Sequence, residues 1–280
     1  MKKNFIDFGI IESGKKKIYQ TLSGNLYDTY MVGRYFNDIY NLEKLIKNEI
    51  TFKKNLIHDT KDLKFNLINF LLLLRSKKNF FYEFGFTLYE KISFFKLFNT
   101  LSTKKIILNK IKFHGMEISD LMIFFVENFY KNFKINVNKV VKKKFFSKSV
   151  FFSKGVTLLY EKKNMLFLSD FINECESGSF DISLYPKKKI KKFPSGYTLH
   201  YPSVNEFINL LKKSNKSLFF RNKKKIGKKI YLEIIFGEKN LDKKINSDLL
   251  FFSKNKNCQL FKKYLSIDKK FKELNVNNLK

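Results

Sequence analysis

The residues of this 280-residue chain that could do chemistry fall into a few groups, and their spacing sorts them. His58, His114 and His200 stand far apart with no carboxylate or cysteine pattern beside them, and they read as structural or surface histidines. Cys175 and Cys258 are too few and too distant for a disulfide framework or a zinc site. Asp170, Glu174 and Glu176 are acids of a short helix that precedes a strand. The lysines are the largest group. Lys142, Lys143, Lys144, Lys148 and Lys154 alternate with Phe145, Phe146, Phe151 and Phe152, a second run is Lys187, Lys188, Lys189, Lys191 and Lys192, and a third is Lys223, Lys224, Lys225, Lys228 and Lys229. Lysine is a flexible point charge that meets phosphates but reads base edges poorly, so basic runs interleaved with aromatics point to an RNA backbone. There is no Gly-rich phosphate loop and no Ser, His and Asp set that one site would hold, so no catalytic residue, no metal and no cofactor is expected.

The composition agrees with a polyanion partner. Basic residues outnumber acidic ones by 56 to 25, the net charge is +31 and the pI is near 9.9, while 44% hydrophobic residues allow a real core. Arg34, Arg75 and Arg221 are the only arginines, and Ala and Trp are absent. That usage follows from a very AT-rich genome, which makes an organelle, above all a mitochondrion, the expected source, with an AT-rich endosymbiont or a plastid as the alternatives. Asp7 and Glu12 argue against a signal peptide, and apolar runs such as Phe70 to Leu74 are far short of the roughly 20 residues a spanning helix needs, so no membrane insertion is expected.

The elements that must carry these residues are clearest between Lys104 and Tyr185. An alternating apolar run from Ile106 to Phe113 leads through Gly115 into a helical pattern, Ile118, Leu121, Met122, Phe125, Val126, Phe129 and Phe133. Two strand-like runs follow, Ile135 to Phe152 and Val156 to Leu168, joined as a long basic hairpin, then a short helix at Ser169 to Glu176 and a strand at Phe180 to Tyr185. The order β-α-β-β-α-β predicts an α+β chain with a central ferredoxin-like unit. Residues 1–103 read as an N-terminal α+β extension with strands near Phe5 to Ile11, Ile18 to Leu22 and Leu26 to Val32. Helices are expected at Tyr35 to Ile50 and Asp62 to Arg75, whereas Phe80 to Phe98 fits strand or helix. The prolines Pro186, Pro194 and Pro202 mark 186–202 as a linker. Residues 203–280 read as a small basic α/β extension, with a capping box at Ser203 and Glu206, a strand at Ile230 to Phe236 and a lysine-rich tail.

The order of strand, long helix, basic hairpin, short helix and final strand over Lys104 to Tyr185 resembles small-subunit ribosomal protein ten, the NusE family. The resemblance implies a hairpin tip at Phe145 to Lys154 that contacts rRNA, and a turn into the last strand at Ser177 to Ser183. The expectation is therefore a structural, non-enzymatic rRNA-binding protein of the small subunit of a mitochondrial ribosome. Its partners would be rRNA and neighbouring ribosomal proteins, with no small-molecule substrate. Two alternatives stand beside it. Leu168 to Phe180 resembles the helix of LAGLIDADG homing endonucleases, which implies Mg²⁺ at Asp170, Glu174 or Glu176, and a diverged subunit of another organellar complex would carry its charge as a by-product of coding.

Overall fold

The computed structural model describes residues 10–13, 16–19, 59–77, 79–84, 88–117, 134–139, 149–153, 164–192, 198–254, 270–275 and 279. In chain order the elements are β1 (Ile10–Ser13), β2 (Lys16–Tyr19), α1 (Asp59–Arg75), β3 (Phe80–Phe84), α2 (Leu88–Leu101), β4 (Lys112–Glu117), β5 (Lys134–Lys139) and β6 (Val150–Ser153). They continue with α3 (Asn164–Glu174), β7 (Ser177–Leu184), β8 (Lys189–Lys192), β9 (Thr198–Tyr201), α4 (Val204–Lys212), β10 (Ser217–Ile226), β11 (Lys229–Gly237), α5 (Leu241–Lys254) and β12 (Lys272–Glu273). β1 with β2, and β8 with β9, are small antiparallel pairs of their own. Everything else converges on one eight-stranded sheet of order β12-β10-β11-β7-β6-β3-β4-β5.

The direction of the strands sets the architecture. β3 runs parallel to β4 and to β6, β4 parallel to β5, and β6 parallel to β7. β11 enters antiparallel between β7 and β10, and β10 is antiparallel to β11, which turns β10 back into line with the parallel strands. From β3 the chain winds outward through β4 to β5, then returns to the other side of β3 and winds outward again through β6 and β7. A mostly parallel open sheet wound both ways from its middle is the Rossmann-like arrangement.

Both faces of the sheet are covered, and the residues show why. Within α1, Leu67, Ile68, Phe70, Leu71 and Leu72 are buried almost all round, so this helix has no solvent face over its second half and lies in the core. Phe70 meets Phe95 and Phe98 of α2 and Phe252 of α5, while Phe65 of α1 meets Phe152 of β6. On the other face Phe151 of β6 stacks on Phe171 of α3 at 4.3 Å, in a cluster that also holds Phe180, Ile182, Leu232, Phe236 and, from α4, Phe207 and Leu210. Each such ring taken out of water stabilises the fold by about 1.5–3 kcal/mol. β7 is buried on both sides: Phe180, Ile182 and Leu184 join the α3 and α4 cluster, and the alternate Ser179 donates a 2.8 Å hydrogen bond to Asn69 of α1.

Several expectations are corrected here. The ferredoxin-like βαββαβ unit over 104–185 is not present, because β4, β5, β6 and β7 are mutually parallel in sense and β3 lies between β4 and β6. The proposed hairpin is not one: β5 is the last strand of the sheet, β6 is central with β3 and β4 between them, and α3 begins within the second hairpin run at Asn164. Local periodicity sees strand-forming residues but not their direction, which depends on partners far away in sequence. With hairpin and unit gone, the resemblance to ribosomal protein ten has no structural basis. Strands from 1–103, 104–185 and 203–280 bond into the same sheet, and 186–202 holds β8 and β9. Phe80 to Phe98 contains a strand and then a helix, and the capping box forms as expected, with Ser203 Oγ accepting from Glu206 N at 3.2 Å and Glu206 accepting from Ser203 N at 2.7 Å. The expected strands at Phe5 to Ile11 and Leu26 to Val32 fall largely or wholly outside the described residues, as do the helices at Tyr35 to Ile50 and Ile118 to Phe133.

Candidate functional site

In an open, doubly wound sheet the ligand site is the crevice beyond the carboxyl ends of the strands, where the winding reverses. Here the reversal falls between β3 and β6. The carboxyl ends that meet there are Phe84 of β3, Ser153 of β6 and, one strand further out, Met116 and Glu117 of β4, with Phe84 in register with both Met116 and Ser153. Neighbouring strands lie about 4.8 Å apart, so Glu117 and Ser153 frame a mouth on the order of 10–12 Å wide.

The polar groups at this mouth are few. Glu83, one residue before the end of β3, is 1% exposed and is in register with Gly115 and Phe152. By alternation it shares the α1 and α2 face with Phe81, whose ring meets Phe95 and Phe113. Ser153 belongs to the opposite face, is fully buried, and its Oγ has no hydrogen-bond partner among the described residues. A buried hydroxyl without a partner costs about 1–3 kcal/mol, so a ligand atom that reached it would recover that energy. Glu117 is the last residue of β4, in register with Lys139, the last of β5. Between β3 and α2 the chain reads Gly85-Phe86-Thr87, with one glycine where a pyrophosphate cradle needs several.

Beside the mouth the sheet rises. Ser153 is in register with Phe180, and β7 runs on to Leu184, about 13 Å further at 3.3 Å per residue. β11 pairs with it to the end, Ile230 against Leu184, and β10 follows with Lys225 against Ile230. The β10 to β11 turn is closed by Gly227, whose φ of 56° is open to glycine at little cost.

The residues expected to bind RNA are spread over this picture. Lys187, Lys188 and Lys189 are exposed just beyond β7, Lys191 and Lys192 are in β8, Lys223, Lys224 and Lys225 are in β10, Lys228 is in the turn and Lys229 opens β11. Lys142, Lys143, Lys144, Lys148 and Lys154 lie outside the described residues. Asp170 and Glu174 are on α3, and Glu176 follows it at the far, amino edge of the parallel strands, where it accepts from Ser76 Oγ at 3.0 Å. Cys175 is buried against Ser149 Oγ at 3.4 Å, and burial pushes its thiol up to about 12, so it is no nucleophile. His114 lies on β4, stacked beside Phe80 and Tyr82, and burial followed by the charge of Lys112 lowers its pKa. Sequence reasoning passed over Glu83, Glu117 and Ser153. The available signal was the strand Phe80 to Phe84 running through an acid into Gly85 and a helix.

No protein-family model and no curated protein matches the chain. Solved structures do. The N-terminal domain of EvdMO1 in the presence of SAH and D-fucose is similar over 75% of this chain and 98% of that one, at 8% identity and a TM-score of 0.48. Magnesium protoporphyrin IX methyltransferase from Synechocystis PCC 6803 with bound SAH matches over 75% and 99%, at 10% identity and a TM-score of 0.40. A Burkholderia thailandensis 1,6-didemethyltoxoflavin-N1-methyltransferase with bound 1,6-didemethyltoxoflavin and S-adenosylhomocysteine matches over 73% and 89%, at 8% identity and a TM-score of 0.40. The sheet order removes the ribosomal fold on which the non-enzymatic reading, its rRNA and ribosomal-protein partners and its exclusion of a small-molecule substrate all depended, and the endonuclease alternative falls with it.

Proposed function

We propose that the chain is a methyltransferase that binds S-adenosylmethionine at the carboxyl edge between β3 and β6. The observation that carries this is the strand order, which puts the winding reversal, and so the crevice, where Glu83, Glu117 and Ser153 collect. The chemistry of those residues selects the kind of cofactor. Two carboxylates and a single glycine repel and fail to cradle a pyrophosphate, but they suit a phosphate-free nucleoside with a positive charge. Glu117, at the end of the second strand from the reversal, would accept from the ribose hydroxyls, and the unpartnered Ser153 Oγ would bond a polar atom of the cofactor's amino-acid end. When bound, the cofactor would supply a methyl group on a sulfonium for transfer to a lone pair of the acceptor, with its sulfur as the leaving group and one proton lost to water from a neutral acceptor. The chain's own part is to hold the nucleoside, exclude water with the Phe81, Phe113 and Phe152 layer beneath it, and orient the acceptor.

Titration calorimetry of the full chain with S-adenosylhomocysteine tests this. The wild type should bind, and Glu117→Gln should weaken binding about 10- to 100-fold, the range of a hydrogen bond to a charged group, with the melting temperature unchanged. No heat of binding at millimolar ligand, or full affinity in Glu117→Gln, overturns the assignment.

A further inference from the structure

The raised part of the sheet beside the crevice carries a charge pattern that the cofactor does not explain. Lys187, Lys188 and Lys189 beyond β7 and Lys225 and Lys228 at the end of the β10 to β11 hairpin are all exposed. The register Leu184 against Ile230 and Ile230 against Lys225 places the strand ends that the two groups adjoin within about 10 Å of each other at 4.8 Å per strand. Among the described residues none of the five has an acidic partner. The acids nearest in the chain, Asp181 and Glu233, accept from Tyr231 and Arg221, and Glu206 is engaged with Ser203 at the start of α4, which the Tyr185 to Ser203 bridge holds beside β7. At the opposite edge of the sheet acids and bases are mixed: Arg75 lies on Asp248 and Lys244 on Glu238, each at 2.5 Å, with Lys216, Lys239 and Lys243 nearby in the chain.

Aromatic and apolar groups sit among the lysines. Lys189 Nζ lies 4.9 Å over the ring of Tyr185, whose other neighbour is Tyr201 at 5.1 Å, edge to face. Ile190 and Ile226 are 53% and 64% exposed on the same rim. Lysines that track phosphates, with aromatic rings for a base to stack on, are the two halves of a single-strand binding surface.

We infer that the methyl acceptor is a single nucleic-acid strand, with its phosphates along Lys187, Lys188, Lys189, Lys225 and Lys228 and one unstacked base turned over Tyr185 toward the end of β6. This rests on the cofactor assignment above and adds the substrate class to it. A duplex would keep its bases stacked away from a crevice that lies about 13 Å below the rim, so an already single strand is the form that reaches it.

The test uses the full chain and fluorescein-labelled 20-nucleotide oligouridine RNA and oligothymidine DNA, read by anisotropy between 50 and 200 mM KCl, with polyglutamate as a third probe. Five phosphate contacts at a slope of about −0.7 each give −3.5, or about 100-fold weaker binding over that fourfold change in salt. Replacing the five lysines by Gln should remove most of that slope while S-adenosylhomocysteine still binds as to the wild type. Tyr185→Leu should weaken strand binding about 10-fold and leave the slope intact, since stacking is insensitive to salt. The tighter of the RNA and DNA arms names the acceptor strand. Unchanged affinity and slope in the five-lysine variant, or polyglutamate bound as well as either strand with no effect of Tyr185→Leu, overturns the inference and leaves the cofactor assignment standing. Strand binding through these lysines by a chain that binds no S-adenosylhomocysteine overturns both, because the strand would not be a substrate.

Discussion

Gly178→Ala should be among the most damaging single-methyl additions in the chain. Gly178 sits in β7, in register with Phe151 of β6 on one side and Phe236 of β11 on the other. A Cβ there would stand 2.5 Å from the carbonyl oxygen of Phe151 and 2.6 Å from two carbons of the Phe236 ring. The ring can swing away. The carbonyl belongs to the backbone of a four-residue strand, so it can move only by opening the β6 to β7 ladder. Overpacking costs about 1–3 kcal/mol where side chains can adjust, so a backbone obstacle puts this site at about 3 kcal/mol, offset only in part by the roughly 0.4–1 kcal/mol that Ala gains over Gly through the unfolded chain. At about 2–4 °C per kcal/mol for a chain of this size, the net loss of about 2–2.6 kcal/mol should lower the midpoint by about 4–10 °C in a circular-dichroism melt. Adding Phe236→Leu separates the two obstacles: it relieves the ring and not the carbonyl, so the double variant should be no more stable than Gly178→Ala alone. A melting point within about 2 °C of wild type for Gly178→Ala, or full rescue by Phe236→Leu, would refute the backbone argument. Ser153 is in the same ladder, so the single variant should also bind S-adenosylhomocysteine more weakly below its melting range.

Two further outcomes follow from buried charge. Arg221 Nε donates to Glu233 Oε2 at 2.8 Å with both side chains at most 10% exposed, the guanidinium lies 4.7 Å over Phe271, and Tyr231 donates to Asp181 at 3.1 Å alongside; Glu233→Gln should therefore cost about 3–5 kcal/mol in urea denaturation, whereas Arg221→Met with Glu233→Leu should cost far less. Equal loss in the single and double variants would mean that packing, not charge, sets the cost. The lowered pKa of His114 means that the unfolded chain takes up its proton first as pH falls, so its contribution is fully present above about 6.5 and is lost as pH drops toward the folded value; His114→Phe should flatten the wild-type decline in stability between about pH 6.5 and 5, and an unchanged slope would contradict it.

What could be read from the sequence was local. The Ser203 and Glu206 box, the strand at Ile230 to Phe236 and the buried helix around Leu71 follow from short-range chemistry, and the structure has all three. Glycine misled where it was taken as punctuation: Gly115 is inside β4 and Gly178 inside β7, at places where neighbouring strands run close. The strand at Phe180 to Tyr185 has no solvent face: the serine side of β7 is also buried, with Ser179 bonded to Asn69. The site itself was hidden for a related reason. Glu83 and Glu117 are single acids at strand ends, and nothing marks a strand end as functional until the order of strands in the sheet is known. Phe80 to Phe98 is aromatic throughout, so periodicity alone did not separate β3 from α2 or place the acid between them.

The lysine excess, which directed the sequence reading toward a scaffold role, has a narrower meaning on this fold. On the proposed function a cofactor with one net positive charge would have to be held in a chain of net charge +31, which is unfavourable unless carboxylates stand at the binding point. Glu83 and Glu117 are in strands that end there, and the five rim lysines follow strand ends about 13 Å beyond it along β7, farther than the 8–10 Å over which charges act through physiological salt. That separation would let one edge of the sheet meet opposite electrostatic requirements: acids at the floor for a cationic nucleoside, lysines at the rim for phosphates. Phosphates on the rim would also weaken what repulsion still reaches the floor, so strand and cofactor would each favour the other's binding, and by linkage the factor would be the same in both directions.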